Sequence, residues 1–136
     1  MSALTVVTVN LNKMTDEDYL VFLEWVCCNN CDVVFAQETE NIKPDKTGRG
    51  YTTFQASGGK AMIILRSSLA KVVKSPNVST IFSMVICDKI VFASVYLPNS
   101  MIKGDQFAAA VHEFQTAIVQ CFSKGAKSVI GGGDLN

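Results

Sequence analysis

Asp32-Val33-Val34-Phe35-Ala36-Gln37-Glu38-Thr39 sets an apolar run, Val33 to Ala36, directly against three polar residues. A run that short, rich in β-branched and aromatic side chains, reads as a buried strand. Its far end carries a carboxylate where burial alone would not choose one. Upstream, Leu4 to Val9 is a second strand of Thr and Val, and it ends in Asn10 and Asn12. A helix fills the gap between them. Thr15 stands as N-cap before Asp16, Glu17 and Asp18, which face the positive end of the helix macrodipole. Tyr19, Phe22, Leu23, Val26 and Cys27 then recur at the spacing of one helical face, and Asn29 and Asn30 end it.

Downstream, Pro44, Gly48 and Gly50 mark residues 41–50 as a loop. Tyr51 to Ala56 and Lys60 to Leu65 flank Ser57-Gly58-Gly59, and Thr80 to Cys87 and Ile90 to Leu97 flank Asp88-Lys89. Both read as hairpins. Asp105 can cap a second helix with an apolar stripe of Phe107, Val111, Phe114, Ile118 and Phe122. Gly125 stops it, and Lys127 to Ile130 returns as a strand into Gly131-Gly132-Gly133-Asp134-Leu135-Asn136. Strands that alternate with two helices and two hairpins predict an α/β fold with a mixed β-sheet.

A length of 136 residues suits one domain, residues 1–136. At 49% hydrophobic and 18% charged, the chain is too apolar to be disordered. Twelve basic residues balance twelve acidic ones, so nothing electrostatic calls for strong non-specific nucleic-acid binding. The longest apolar runs, Ala61 to Leu65 and Ile90 to Leu97 with Ser94 inside, fall far short of the roughly 20 residues that span a bilayer. The N-terminus has no basic region before its apolar stretch, so it reads as a strand and not as a secretory signal. Five cysteines without an export signal imply free thiols in a reducing, intracellular compartment, nuclear or cytoplasmic. Cys28 and Cys31 form a C-x-x-C, but Cys87 and Cys121 are isolated and His112 is the sole histidine, so no second pair completes a zinc site.

Polar residues collect at four strand ends: Asn10 and Asn12, Glu38, Tyr96 and Asn99 around Pro98, and Asp134 with Asn136. Ligands of open α/β sheets gather beyond the carboxyl ends of strands. Carboxylates there can hold magnesium, which takes one or two of them and keeps waters and substrate phosphate oxygens. Amides can orient a phosphate without adding negative charge.

With these residues the chain resembles the endonuclease/exonuclease/phosphatase family, the four-layer α/β/β/α sandwich nucleases of the exonuclease III and DNase I types. The matching stretches are Thr8-Val9-Asn10-Leu11-Asn12, Asp32 to Thr39, Gly58-Gly59-Lys60-Ala61-Met62-Ile63-Ile64, Val95-Tyr96-Leu97-Pro98-Asn99 and Gly132-Gly133-Asp134-Leu135-Asn136. Each is weak alone, but all five stand in order at strand ends or hairpins. The flavour is most similar to the apurinic-type endonucleases of non-LTR retrotransposons. The resemblance covers the whole chain and about half of the family domain, so it implies a single truncated domain, about half of a four-layer sandwich.

The resemblance implies magnesium-dependent hydrolysis of DNA, with manganese as a substitute. Glu38 would bind the metal, with Asn12 near it where many members carry Asp. Asn10 would fix the site, Tyr96 and Asn136 would contact the phosphate, Asn99 would bind substrate, and Asp134 would serve the water or the leaving oxygen. Lys13 stands where a glycine is common. The late Asp and the Asp-His pair of the family's second half have no counterpart before Asn136, which points to weak or absent activity in this chain. The competing readings are an inactive remnant that binds metal or a partner, or another phosphodiesterase or phosphatase of the same family.

Each candidate also has a plain structural role. Asn10 and Asn12 suit turns, Tyr96 suits a core edge, His112 a helix surface, and the glycine run lacks the Lys-Ser/Thr of a phosphate loop. With one sheet's worth of strands, an inner apolar face should meet water and drive self-association.

Overall fold

The computed structural model describes residues 3–43, 49–97 and 105–134. In chain order the elements are β1 (Val6–Asn10), α1 (Asp16–Cys28), β2 (Val33–Gln37), β3 (Tyr51–Gln55), a 3-10 turn (Ser57–Gly59), β4 (Ala61–Arg66), α2 (Ser67–Ala70), β5 (Val73–Val78), β6 (Phe82–Cys87), β7 (Ile90–Tyr96), α3 (Asp105–Ser123) and β8 (Ser128–Asp134).

Strand alternation decides what each residue meets. In β2, Val33 and Phe35 point one way while Val34 and Ala36 point the other. Val34 and Ala36 join Met62 and Ile64 of β4 beneath Tyr19, Leu23 and Val26 of α1. Val33 and Phe35 join Ile63 and Leu65, and this set packs against Val85, Cys87 and Phe92 of a second sheet. On the far side, Met84, Ile86, Val91 and Ala93 pack under Ala110, Ala117 and Cys121 of α3. The layers therefore run α1, sheet, sheet, α3. Each fully buried Val, Leu, Ile or Phe contributes about 1.5–3 kcal/mol by leaving water.

The sheets are four-stranded, ordered β1-β2-β4-β3 and β5-β6-β7-β8. Each holds two antiparallel pairs, β2–β4 and β3–β4 in the first sheet and β5–β6 and β6–β7 in the second, and one parallel pair, β1 with β2 and β7 with β8, joined across α1 and α3 respectively. Stacked, β1 lies over β8 and β2 over β7. Ring centroids of Phe35 and Phe92 sit 6.3 Å apart across that interface.

Two sheets, not one, correct the expected exposed inner face. Val33, Phe35, Ile63, Leu65 and Val85 are 0% exposed and Phe92 is 1% exposed. The apolar sheet face assigned to self-association is thus covered within the chain. Three helices replace the expected two, the extra one being the single turn α2. Strand β5 contains Pro76 and a register shift between Lys74 and Asn77. Proline lacks the ladder donor, so it is tolerated there because β5 is an edge strand.

Local signals hold at the helix ends. The Thr15 hydroxyl accepts from Asp18 N–H at 3.2 Å, and Asn29 closes α1. After α3, the Ala126 and Gly125 N–H groups bond back to the carbonyls of Cys121 and Phe122, both at 3.1 Å. The buried face of α3 is Ala110, Ala117 and Cys121 with Phe114 and Ile118. Phe107 and Phe122, at the ends of the expected stripe, stay 37% and 42% exposed.

Candidate active site at the strand ends

The parallel registers bring the polar strand ends to one edge. Asn10 is aligned with Gln37, so Glu38 follows at once, and Tyr96 is aligned with Asp134. Because β1 stacks on β8, residues far apart in sequence meet. The Asn10 amide Nδ2 donates to Glu38 Oε2 and also to Asp134 Oδ2, the latter at 2.9 Å. Two carboxylates therefore share one nitrogen, and their oxygens lie within roughly two hydrogen-bond lengths, about 6 Å.

A glycine makes this approach feasible. A Cβ on Gly132 would fall 2.6 Å from Thr8 Oγ1, 2.8 Å from Thr8 Cβ and 3.0 Å from Phe35 Cδ2. Only a residue without a side chain lets β8 lie this close to β1 and β2. The glycine run read from the sequence as a strand end is thus part of how Asp134 reaches Asn10.

Around Asn10 the loop is built from left-handed backbone. Asn12 and Lys13 have φ of 52° and 57°, and Glu38 has φ of 54°. Such values are uncommon outside glycine and cluster at functional sites. Lys13 therefore adopts the conformation for which glycine would be suited. Asn10 Oδ1 accepts from the Asn12 N–H at 2.7 Å, an Asx turn. Asn10 is a turn residue and a carboxylate clasp at once. Asn12, by contrast, joins the group through its backbone and is exposed.

Glu38 is fixed from both sides. Its N–H donates to the Lys60 carbonyl, and its carbonyl accepts from the Lys13 N–H, each at 2.9 Å. Next along, buried Thr39 donates its N–H and its hydroxyl to the Gly59 carbonyl, both at 2.7 Å. The Gly59 backbone at φ +76° comes so near that a Cβ there would sit 2.6 Å from Glu40 Cα.

Beneath the edge, a polar clip joins the two sheets. Buried Gln37 donates through Nε2 to Ser94 Oγ at 3.2 Å, and Ser94 donates to the Ala36 carbonyl at 2.9 Å. It ties the strand carrying Glu38 to the strand carrying Tyr96. Sequence reasoning passed over both residues, although Ser94 interrupts an otherwise apolar run.

Tyr96 is half-buried, with the Lys60 ammonium 5.8 Å from its ring centroid. Burial raises its phenol above the ordinary value. Glu38 raises it further, Lys60 pulls it down, and Asp134 and Glu40 raise it again. The Lys60 ammonium in turn donates to Glu40 Oε2 at 2.9 Å, and this bond holds its pKa up. Lys60 and Glu40 were missed as site residues; the signal was available, since the hairpin places Lys60 just before β4, whose first residue Ala61 is aligned with Gln37 at the end of β2.

Asn99 and Asn136, both expected at the site, lie outside the described residues. His112 is exposed on α3, beside a surface depression that it lines with Asn77, Glu113 and Gln120, and not at the strand ends. Among the described residues no group of three or more His, Cys, Asp or Glu side chains could hold a metal ion. The hard oxygen donors that fit magnesium are Glu38 and Asp134, and one or two carboxylates suffice for it. The Asn10 amide lies between these two carboxylates and donates to both. The large apolar hollow, about 420 Å³ between α3 and the β7–β8 pair, is lined by none of Asn10, Glu38, Tyr96 or Asp134.

Compared with solved structures, the chain is similar to the endonuclease domain of TRAS1, a telomere-specific non-LTR retrotransposon, with a TM-score of 0.61 and 17% identity. The match covers 97% of this chain and 58% of that one, so the chain spans little more than half the length of that neighbour. At such identity the likeness establishes the fold alone. No family model matches the chain, and no curated protein matches it. The described chain thus has an endonuclease-like α/β sandwich fold.

Proposed function

We propose that this chain carries the strand-end site of a magnesium-dependent phosphodiesterase that cuts DNA, as a member of the endonuclease/exonuclease/phosphatase family. The observation that carries the reading is the Asn10 amide donating to both Glu38 and Asp134, residues that meet only in the folded sandwich. Glu38 would hold magnesium, with manganese as a substitute, and Asp134 stands beside it. Bound there, the metal supplies neutralisation of the negative charge that develops on the phosphate oxygens.

The chain's own groups do the rest. Asn10 aligns the two carboxylates, and Asp134 accepts a proton from the attacking water or serves the leaving oxygen. The Tyr96 hydroxyl, protonated well past neutral pH because its pKa is raised by burial and by Glu38, donates to a phosphate oxygen. Asn12 would stand near the metal, while Asn136 would bond the phosphate and Asn99 would bind substrate, the latter two lying outside the described residues. The free cysteines suit a reducing compartment, nucleus or cytoplasm; among the described residues no helix is long and apolar enough to cross a membrane.

Purified chain with supercoiled plasmid and magnesium tests the reading, with Glu38→Ala and Asp134→Asn as controls. Nicking by the wild type and its loss in both variants supports it. Equal nicking in wild type and variants refutes it. The position of His112 on the outer helix, away from the strand ends, favours a second reading in which the site binds metal or a partner without turnover. Metal binding that Glu38→Ala abolishes, with no nicking by any form, selects that reading.

A further inference from the structure

Among the described residues, the carboxylates of Glu38, Asp134 and Glu40 bear on Tyr96, and the Lys60 ammonium opposes them there. A phosphodiester is itself anionic, so a site this acidic needs a fixed positive charge facing the substrate. We propose that Lys60, braced by Glu40 over the Tyr96 ring, binds a backbone phosphate of the nucleic acid beside the one to be cut. The proposal rests on the phosphodiesterase reading and names a substrate contact for that site.

The brace is specific. Lys60 is stitched to Glu38 through the backbone, its carbonyl accepting the Glu38 N–H at 2.9 Å, so the two side chains start from one stitched point. Glu40 Oε2 takes the Lys60 ammonium at 2.9 Å, while Glu40 Oε1 is buried with no hydrogen-bond partner. A carboxylate oxygen left unbonded is a cost, and the return for it is the orientation of Lys60. The Tyr96 face, 5.8 Å from the ammonium, supplies a second side of the cradle. The Lys60 side chain remains 39% exposed, so its head group still reaches solvent and ligand. An ammonium has three donors, of which Glu40 occupies one, and the remaining donors suit phosphate oxygens.

Lys60→Met keeps the length of the stem and removes the charge; Lys60→Arg keeps the charge; Glu40→Gln weakens the brace by removing its charge. Binding of a fluorescent DNA duplex is read by anisotropy in EDTA, without cleavage, over a series of NaCl concentrations. Loss of one phosphate contact lowers the slope of log affinity against log salt by about 0.9. Lys60→Met should show that drop with roughly tenfold weaker binding at about 100 mM salt, the range expected of one phosphate contact. Lys60→Arg should restore the slope, and Glu40→Gln should keep the slope while weakening binding. An unchanged slope and affinity in Lys60→Met overturns the proposal. In parallel, inorganic phosphate is titrated while the amide resonances of Lys60 and Tyr96 are followed by NMR. Shifts in the wild type that vanish in Lys60→Met, in a chain that neither binds nor nicks DNA, uphold the phosphate contact and reject DNA as substrate. Nicking by the wild type with Lys60→Met unchanged in KM and slope upholds the nuclease and rejects Lys60. Absence of phosphate shifts and of DNA binding in the wild type rejects both.

Discussion

Gly132→Ala is the perturbation that most sharply couples the fold to the site. Its new Cβ would stand 2.6 Å from Thr8 Oγ1 and 2.8 Å from Thr8 Cβ. Ordinary carbon contacts begin near 3.5 Å, so β8 and β1 must part by about 1 Å. The Asn10 to Asp134 hydrogen bond, 2.9 Å long, then passes the limit of a bond. Overpacking of this kind costs about 1–3 kcal/mol, and a misplacement of about 1 Å at a reacting group costs on the order of 100-fold in rate. Urea denaturation reads the first effect as a lower midpoint at constant slope, and plasmid nicking reads the second. Thr8→Gly removes the two nearest clashing atoms and leaves only Phe35 Cδ2, at 3.0 Å, so Gly132→Ala made in that background should cost less than in the wild type, the difference being the coupling between the two positions. A Gly132→Ala variant as stable as the wild type, or one equally destabilised with and without Thr8→Gly, would refute the close packing of β1 on β8 as the reason Asp134 meets Asn10.

Other consequences follow from single groups. Tyr19 is fully buried, its hydroxyl has no hydrogen-bond partner, and burial drives its pKa far above the ordinary 10.0. The folded chain keeps the phenol proton at pH values where the unfolded chain has released it, so stability should fall as pH rises past 10.0. Tyr19→Phe should be neutral or stabilising by about 1 kcal/mol at pH 7 and should flatten that alkaline decline in a pH series of urea midpoints. Ser94→Ala strips the Gln37 amide of its partner in the other sheet and should cost about 1–3 kcal/mol by the same measurement. Thr15→Ala removes the hydroxyl that accepts from Asp18 N–H and should cost about 1 kcal/mol, with no loss of nicking.

Much of the architecture was legible because short-range chemistry governs it. Thr15, the acids after it and Asn29 delimit α1, and Ser57-Gly58-Gly59 and Asp88-Lys89 close the two hairpins. The division into two sheets was not legible. Val33 to Ala36 and Ala61 to Leu65 are apolar at every position, so the period-two signal that tells inner from outer face is lost once both faces are covered. Strand β5 was hidden by Pro76, which reads as a breaker unless the edge position is known. On α3 the small residues Ala110 and Ala117 share the buried face with Phe114 and Ile118, while Phe107 and Phe122 at the ends of the expected stripe stay exposed.

At the site, Asn10, Glu38, Tyr96 and Asp134 stood out as polar ends to apolar strands, and the parallel registers bring them to one edge. Lys60, Glu40, Gln37 and Ser94 did not stand out. Their significance depends on which strand lies opposite which, and that is decided by pairing across the sheets rather than by neighbours in sequence.

Glu38 and Asp134, joined through Asn10, are proposed to form one cation-binding point at the strand ends. Manganese titrated into isotope-labelled chain tests this directly, because its unpaired electrons broaden nearby amide resonances. The account predicts selective broadening at Leu11, Glu38 and Asp134 in the wild type and its loss in Glu38→Ala. Broadening centred elsewhere, or unaltered by Glu38→Ala, would contradict it.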